Sequence, residues 1–343
     1  MFCCLSLVAA AATQAAHRHL RGGTRLLAVV PVAASLVALP FVFRSDETLS
    51  RLITWGTSAW AAATKTLLIG VGRSPIRRTD GFPRYSASLL LPFIVDGAQS
   101  GAGHAAAFVL AARCAVKLAA CRLLCFLLTS VVHHPLARSF LFAFFMYAFM
   151  GAVLDGVGAA TSAAGVALEP HFATPPLSRS VREFWSCRRN LFISGLLRRS
   201  VFEPVCDGRL FADDVDAAPL ASRRQRSAQP SNLRRLIGLC ASFVVSGVLH
   251  EGMLRCASQN TPNTGEWLLY FSLQGPLMII EPLLRKRPAG GVSTVLAIAV
   301  TWVLLYVPAA ALFFPPMRAR GIEARTVAAV AKFVGGAGAG TEL

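Results

Sequence analysis

The chain has 343 residues, of which 55% are hydrophobic and only 15% are charged. Soluble domains carry about 25% charged residues, so the composition argues against a water-soluble globular protein. Lys and Arg outnumber Asp and Glu by 34 to 17. In a soluble protein that excess would indicate nucleic acid, but membrane-protein loops and anionic lipid headgroups also account for it. We therefore expect a lipid bilayer and no nucleic acid as partner, although a site for a phosphate-rich ligand would favour the same arginines.

Long apolar runs recur along the chain, and a membrane-spanning helix needs about 20 such residues. Seven runs are clear candidates: Leu26–Phe43, Leu52–Val71, Ala105–Val132, Phe140–Leu168, Leu236–Leu254, Trp267–Leu284 and Val292–Phe314. Met1–Ala16, interpreted as a retained segment, and the less certain Ser86–Ala98 complete the set. The pattern predicts an all-α, polytopic integral membrane bundle of about seven to nine transmembrane helices, forming one domain over residues 1–343.

The main polar region follows the fourth of these runs and contains twelve Arg and six acidic residues between positions 178 and 235. Its first part, residues 178–205, mixes aromatic and aliphatic residues with Arg, which is typical of an amphipathic or re-entrant helix at the membrane interface. Its second part, residues 206–235, has few large apolar residues and predicts a flexible polar loop.

Ionisable residues within apolar runs are costly in a membrane, so each one indicates a partner or a function. His250 and Glu251 lie within the run Leu236–Leu254. A neutral imidazole there could accept a proton as a general base, or could simply be bonded to a carbonyl near the membrane surface. Other intramembrane charges are Lys65, Lys117 and Asp155; the two lysines could extend their amines to the membrane surface. His133 and His134, followed by Pro135, are interpreted as a loop.

Several short segments occur in a specific order. They are Gly72–Ile76, Leu91–Ile94, Leu168–Phe172, Pro175–Ser180, Glu183–Leu191, Val201–Val205 and Val244–Glu251. Together they resemble the signature region of plant wax synthases, the long-chain-alcohol O-fatty-acyltransferases, over roughly residues 70 to 290. The resemblance implies the membrane-bound O-acyltransferase superfamily, whose helices enclose a tunnel.

The same resemblance implies a catalytic pair inside that tunnel, with His250 as the His and Asn190 as the upstream Asn. Glu251 matches the His-Glu pair of related sterol and diacylglycerol acyltransferases and is a possible orienting residue. Wax synthases usually have Phe-Trp, one residue, then Arg-Arg-Trp-Asn. Here Cys187 replaces the first Arg of this motif and Arg189 replaces its second Trp.

The implied reaction uses acyl-CoA as a co-substrate, with no metal and no redox cofactor. Arg188, Arg198 and Arg199 are weaker candidates for binding the nucleotide end of acyl-CoA. Phe184 and Trp185 are expected to line the tunnel or anchor an interfacial helix. Gln274 is a possible tunnel residue or a helix-to-helix hydrogen-bonding group.

We expect esterification of a long-chain fatty alcohol to a wax ester in the endoplasmic reticulum. The same chemistry could serve a sterol, a diacylglycerol or another lipophilic alcohol, because pocket shape selects the acceptor. A third hypothesis is a non-catalytic membrane protein, which Arg189 and the intramembrane charges favour. The presence of both Asn190 and His250 argues against it. The oligomeric state stays open.

Overall fold

The computed structural model describes residues 2–93, 103–169, 171–212, 231–258, 264–284 and 293–335. Within these ranges the chain is predominantly helical, and its only extended pairing is an isolated bridge residue, Leu168. The expected all-α class is confirmed.

Fifteen α-helices are described in chain order. They are α1 (Phe2–His19), α2 (Gly22–Ala38), α3 (Thr48–Thr54), α4 (Ala63–Gly70), α5 (Phe82–Leu90), α6 (His104–Phe126), α7 (Pro135–Ala163), α8 (Val181–Glu183), α9 (Leu191–Leu197), α10 (Glu203–Asp207), α11 (Asn232–Ala257), α12 (Glu266–Leu284), α13 (Thr294–Pro308), α14 (Phe314–Ala319) and α15 (Ile322–Gly335). Two short 3₁₀ segments are Leu39–Val42 and Pro175–Leu177.

Wider π-helical turns interrupt or extend several of these helices. They are Trp55–Ala62, Leu127–Val131, Phe184–Arg188, Arg198–Phe202 and Ala309–Phe313. Such turns are uncommon in proteins overall, and those that occur are often found at functional sites. The segments Trp55–Ala62 and Phe184–Arg188 both contribute to the candidate sites below.

Five described helices are long and apolar enough to cross a membrane: Gly22–Val42, His104–Val131, Pro135–Ala163, Asn232–Ala257 and Thr294–Ala319. They support an integral membrane protein, but the predicted count of seven to nine spans is not confirmed. Three further helical stretches do not belong to these five candidate spans: α1, Thr48–Gly70 and α12.

The interpretation of Ser86–Ala98 as a span is wrong over its described part. Helix α5 ends at Leu90, and Leu91 is extended, with φ −84° and ψ 148°. Pro92 follows, and the ring of a proline disfavours helical backbone at the residue before it. Residues 94–98 of this candidate lie outside the described ranges.

The chain divides into two compact units. The first comprises Met1–Pro92, Phe192–Ala257 and Pro262–Gly290, and the second comprises Phe93–Leu191, Ser258–Thr261 and Gly291–Leu343. The single domain over residues 1–343 stays a prediction.

In the first unit, α11 packs closely against α12. A Cβ atom at Gly247 would lie 3.0 Å from the Cα of Leu268, so only glycine allows the two backbones to approach this far. Small residues at such contacts are typical of helix pairs in membranes. This contact determines which residues of α12 can reach the side chains of α11.

In the second unit, α6 and α7 form an antiparallel pair joined by a short connection, and α15 packs on α6. Arg138 on α7 forms an ion pair with Glu323 on α15, with 2.8 Å between Nη2 and Oε1. The Glu323 side chain is almost fully buried, so this pair joins the two helices inside the unit.

The predicted polar loop, residues 206–235, is described only at its two ends, and residues 213–230 lie outside the described ranges. Its first residues are anchored within the first unit, because Arg73 donates hydrogen bonds to the Asp207 carboxylate and to the carbonyls of Arg209 and Leu210. Its last residues belong to α11. The amphipathic part, residues 178–205, forms α8, α9 and the start of α10 with their π-helical turns.

Candidate active site

His250 lies on α11 in the first unit and is partly buried. Its Nδ1 atom is 2.7 Å from the backbone carbonyl oxygen of Ser246, one helical turn earlier. A carbonyl can only accept a hydrogen bond, so Nδ1 must carry the proton. In the neutral imidazole the lone pair therefore lies on Nε2, and that atom is the one able to act as a base.

Aromatic side chains surround this imidazole. The ring of Phe271 stacks on it with 3.7 Å between centroids, Trp60 lies nearly perpendicular to it at 4.4 Å, and Trp267 lies at 6.0 Å. All three aromatic residues are buried. These rings partly shield the imidazole from bulk water.

The helix that carries His250 is fixed against the π-helical segment Trp55–Ala62. A Cβ atom at Gly252 would lie only 2.4 Å from the Trp55 ring, so glycine is required for this contact. The Trp55 indole N–H also donates to the carbonyl of Leu249 at 3.1 Å. Both contacts flank His250 in sequence and hold it beside the aromatic residues of that segment.

The Glu251 carboxylate binds backbone N–H groups at the start of α12. Its two carboxylate oxygens accept hydrogen bonds from the backbone N–H groups of Gly265 and Leu268, each at 3.2 Å. These groups lie at the first turn of α12, where backbone N–H groups lack partners within the helix and where negative charge is favourable. This geometry favours a capping role for Glu251 over the orienting role considered from the sequence.

Replacing Glu251 with Ala should lower the free energy of unfolding by about 1 kcal/mol, the usual cost of losing an N-terminal cap. Thermal unfolding in detergent measures this, and acyl transfer per folded molecule should change much less. A stable variant with a more than tenfold loss of activity would instead indicate that Glu251 orients His250.

Two other polar residues of the first unit are buried and donate hydrogen bonds to backbone carbonyls. Gln274 on α12 donates from its amide to the carbonyl of Tyr270 in the same helix. Lys65 is fully buried, and its amine donates to the carbonyls of Ser88 and Leu91 at the end of α5, at 2.6 Å each. Lys65 thus binds helix-end carbonyls, a favourable position for a cation.

In the second unit, α8 begins with a side-chain cap. Ser180 accepts a hydrogen bond from the Glu183 N–H, and Glu183 in turn accepts one from the Arg179 N–H. Burial would raise the pKa of Glu183, but the hydrogen bond from Arg179 and those from Arg188 together hold the pKa below its usual value. The carboxylate is therefore charged at neutral pH and fixes the start of the motif segment.

Asn190 occupies the turn between the π-helical segment Phe184–Arg188 and α9. Its φ is +42°, the left-handed region that Asn and Asp adopt more readily than other residues with side chains. The neighbouring Leu191 N–H donates to the His171 carbonyl at 2.9 Å, and the Ala173 N–H donates to the Arg188 carbonyl. Two pieces of the signature, separated in sequence, thus lie side by side around Asn190.

Arg189, at the position where the motif that this segment resembles has Trp, contacts the two preceding aromatic residues. Its guanidinium lies 5.4 Å from the ring centre of Phe184 and 5.6 Å from that of Trp185. Planar guanidinium groups pack favourably on aromatic faces. Arg189 therefore packs on the aromatic side chains of its own segment.

A cavity of about 580 Å³ opens beside this segment in the second unit. It is lined by Arg113, Lys117, Tyr147, Phe172, Ala173, Thr174, Glu183, Cys187 and Arg188. Arg188 is engaged within the cavity wall, since its Nε donates to Glu183 at 2.7 Å and its Nη1 donates to Thr174. The cavity thus combines three cations with one carboxylate.

A buried ion pair adjoins this cavity. Lys117 on α6 donates to Asp155 on α7 at 2.5 Å, and Arg113 lies 3.5 Å from the same carboxylate. The Lys117 and Asp155 side chains are only 15% and 12% exposed. The Lys117 amine thus has a carboxylate partner on the neighbouring helix, and its extension to the membrane surface stays a prediction.

The site candidates fall in both units. His250, Glu251, Gln274, Arg198 and Arg199 belong to the first, and Asn190, Phe184, Trp185 and Arg188 belong to the second. Arg198 pairs with Glu203 and is largely exposed. The pairing of His250 with Asn190 stays a prediction.

Sequence reasoning missed Trp60, Phe271, Arg113 and Tyr147, which touch the imidazole or line the cavity. Aromatic residues in an apolar run give no signal of which side chain they will contact.

Among the described residues, no group of three or more His, Cys, Asp or Glu is arranged to hold a metal.

The chain is similar to curated plant acyltransferases along most of its length. It is 28% identical over 313 residues to probable long-chain-alcohol O-fatty-acyltransferase 7 of Arabidopsis thaliana, covering 86% of this chain and 82% of that protein. It is 26% identical over 306 residues to probable long-chain-alcohol O-fatty-acyltransferase 8 of the same plant, covering 85% and 81%.

A further relative is acyl-CoA–sterol O-acyltransferase 1 of Arabidopsis thaliana, 25% identical over 312 residues, covering 85% of this chain and 81% of the relative. No protein-family model matches the chain. The resemblance to the plant wax synthases that the signature segments indicated is confirmed.

Proposed function

We propose that this protein transfers a fatty acyl group from acyl-CoA to the hydroxyl of a long-chain fatty alcohol, giving a wax ester and free coenzyme A. The observation that carries the proposal is the hydrogen bond from Nδ1–H of His250 to the Ser246 carbonyl. That bond leaves the basic lone pair on Nε2 within an aromatic environment. The similarity to long-chain-alcohol O-fatty-acyltransferases supports the substrate class.

In the proposed reaction, Nε2 of His250 accepts the proton of the alcohol as its oxygen attacks the thioester carbonyl carbon. The tetrahedral intermediate then collapses as the carbon–sulfur bond breaks. The thiolate of coenzyme A leaves and takes a proton from the imidazolium. The family resemblance assigns Asn190 as a hydrogen-bond donor to the carbonyl oxygen, where negative charge develops.

Acyl-CoA is amphiphilic and requires a polar binding region as well as an apolar one. We assign its polar arm to the cavity of the second unit, which has room for a ligand and where phosphate groups would compete with Asp155 and Glu183 for Arg113, Lys117 and Arg188. The reaction is assigned to the endoplasmic reticulum, where acyl-CoA meets newly made lipid alcohols.

A second candidate keeps the chemistry and changes the acceptor to a sterol. One relative is named for sterol acylation, and its similarity extends over 85% of this chain. The same base would activate a sterol hydroxyl in the same way, so the difference between the two functions is one of pocket shape.

Acyl transfer from labelled palmitoyl-CoA, measured in microsomes of a yeast that lacks its own neutral-lipid acyltransferases, tests the proposal. Fatty alcohols, sterols and diacylglycerol are offered separately. Labelled wax ester is the expected product, whereas labelled sterol ester would replace the acceptor and keep the mechanism. No ester with any acceptor, from folded protein in the membrane, would overturn the enzyme assignment.

Changing Asn190 to Asp should lower the rate of ester formation by about 10²- to 10³-fold, the usual effect of losing one donor to an oxyanion. Asp also tolerates the left-handed backbone at this position, so the fold should be kept. The measurement is kcat in the microsomal assay, with protein amount determined by immunoblot.

Asn190→Gly is the matched control for the backbone, since glycine adopts a positive φ without strain. It should show a comparable loss because it also lacks the amide. Activity close to that of the unmodified chain in either variant would remove Asn190 from the mechanism.

A further inference from the structure

Two tryptophans of the π-helical segment Trp55–Ala62 differ in how their indole N–H groups are used. The N–H of Trp55 donates to the Leu249 carbonyl at 3.1 Å. The N–H of Trp60 is buried and has no hydrogen-bond acceptor within the described part of the chain. Trp60 is only 6% exposed, so bulk water does not readily take that place. Buried polar groups of this kind are rare in native proteins and each one requires an explanation.

The position of Trp60 suggests the explanation. Its ring lies 4.4 Å from the imidazole of His250, at an interplanar angle of 85°. The segment that carries it is π-helical, a form of helix found frequently at functional sites. A buried indole whose N–H lacks an acceptor among the described residues thus lies beside the proposed base.

We propose that the Trp60 indole N–H donates a hydrogen bond to the thioester carbonyl oxygen of acyl-CoA. This inference rests on the proposed function. An indole nitrogen can only donate, so its partner must be an acceptor. The alcohol oxygen directs its own proton to Nε2 of His250, whereas the carbonyl oxygen only accepts and becomes negatively charged in the tetrahedral intermediate. Trp60 thereby stabilises the negative charge that develops on the carbonyl oxygen when the alcohol attacks.

Two substrate analogues distinguish this role from a packing role. One is an alkyl thioether of coenzyme A, which has the chain and the sulfur without a carbonyl. The other is a ketone analogue, in which a methylene separates the sulfur from a retained carbonyl. Each is measured as a competitive inhibitor of the full-length protein in microsomes.

Trp60→Phe keeps an aromatic ring beside His250 and removes the N–H. It should lower kcat by about 10²-fold and weaken binding of the ketone analogue by about tenfold, while affinity for the thioether stays the same. Trp55→Phe is the matched control: it removes the bond to Leu249 and should reduce thermal stability without changing the ratio of the two affinities.

If Trp60→Phe does not fold, benzothienylalanine at position 60 replaces the N–H by sulfur and keeps the ring shape. An equal loss of affinity for both analogues, or an unchanged kcat, would overturn the role of Trp60 alone. Absence of ester formation by the unmodified chain would overturn the proposed function, and this inference with it.

Discussion

Replacing His250 with Asn should lower the rate of ester formation by about 10²- to 10⁴-fold, the range associated with loss of a positioned general base. The side-chain amide of Asn can present an N–H close to the position of Nδ1–H, so the hydrogen bond to the Ser246 carbonyl can be kept. An amide has no basic lone pair comparable to that of Nε2. The variant therefore separates proton transfer from packing. Ester formation in microsomes and thermal unfolding in detergent are measured on the same preparation.

His134→Asn provides the matched control, because this histidine is exposed at the start of α7 and the proposed mechanism does not use it. Its activity should equal that of the unmodified chain. A His250→Asn protein that retains more than a tenth of the activity would exclude His250 as the base.

Replacing Asp155 with Leu should lower the free energy of unfolding by about 3–5 kcal/mol, because it leaves the Lys117 ammonium without its carboxylate in a mostly buried position. The double variant Lys117→Met with Asp155→Leu should recover most of this loss, since no unpaired ammonium then remains in the helix pair. Denaturant unfolding in detergent of the two single variants and the double variant gives the coupling free energy.

The exposed pair of Arg44 and Asp46 offers a comparison, with 3.5 Å between the charged groups and side chains 83% and 63% exposed. Asp46→Asn should change the free energy of unfolding by less than about 1 kcal/mol, as exposed ion pairs contribute little. Equal effects of the Asp46 and Asp155 substitutions would mean that the Lys117–Asp155 pair is solvated.

The helical class and the position of His250 could be predicted from the sequence, since both depend on local properties. Apolar runs of sufficient length specify helices whatever their partners, and a histidine within such a run is visible by itself. The end of α5 was also encoded locally, in Leu91 and Pro92. It was missed because hydrophobicity continued past the proline.

The partners of charged residues could not be predicted, since they lie far apart in sequence. Asp155 is 38 residues from Lys117, and the backbone groups bound by Glu251 lie 14 and 17 residues further along the chain. The partners lie on or at the start of a different helix in each case, so only the packing of whole helices reveals these pairs. For the same reason, the sequence could not show that the Trp60 N–H lacks an acceptor among the described residues.

The pair of Lys117 and Asp155 also bears on how the chain enters the bilayer during synthesis. An ionised lysine or aspartate at the centre of a lone helix opposes insertion by about 2.5–3.5 kcal/mol. Helices α6 and α7 are consecutive, so the partner of Lys117 leaves the ribosome soon after it. We therefore expect the translocon to release α6 and α7 together as a helical hairpin, with their charges already neutralised against each other.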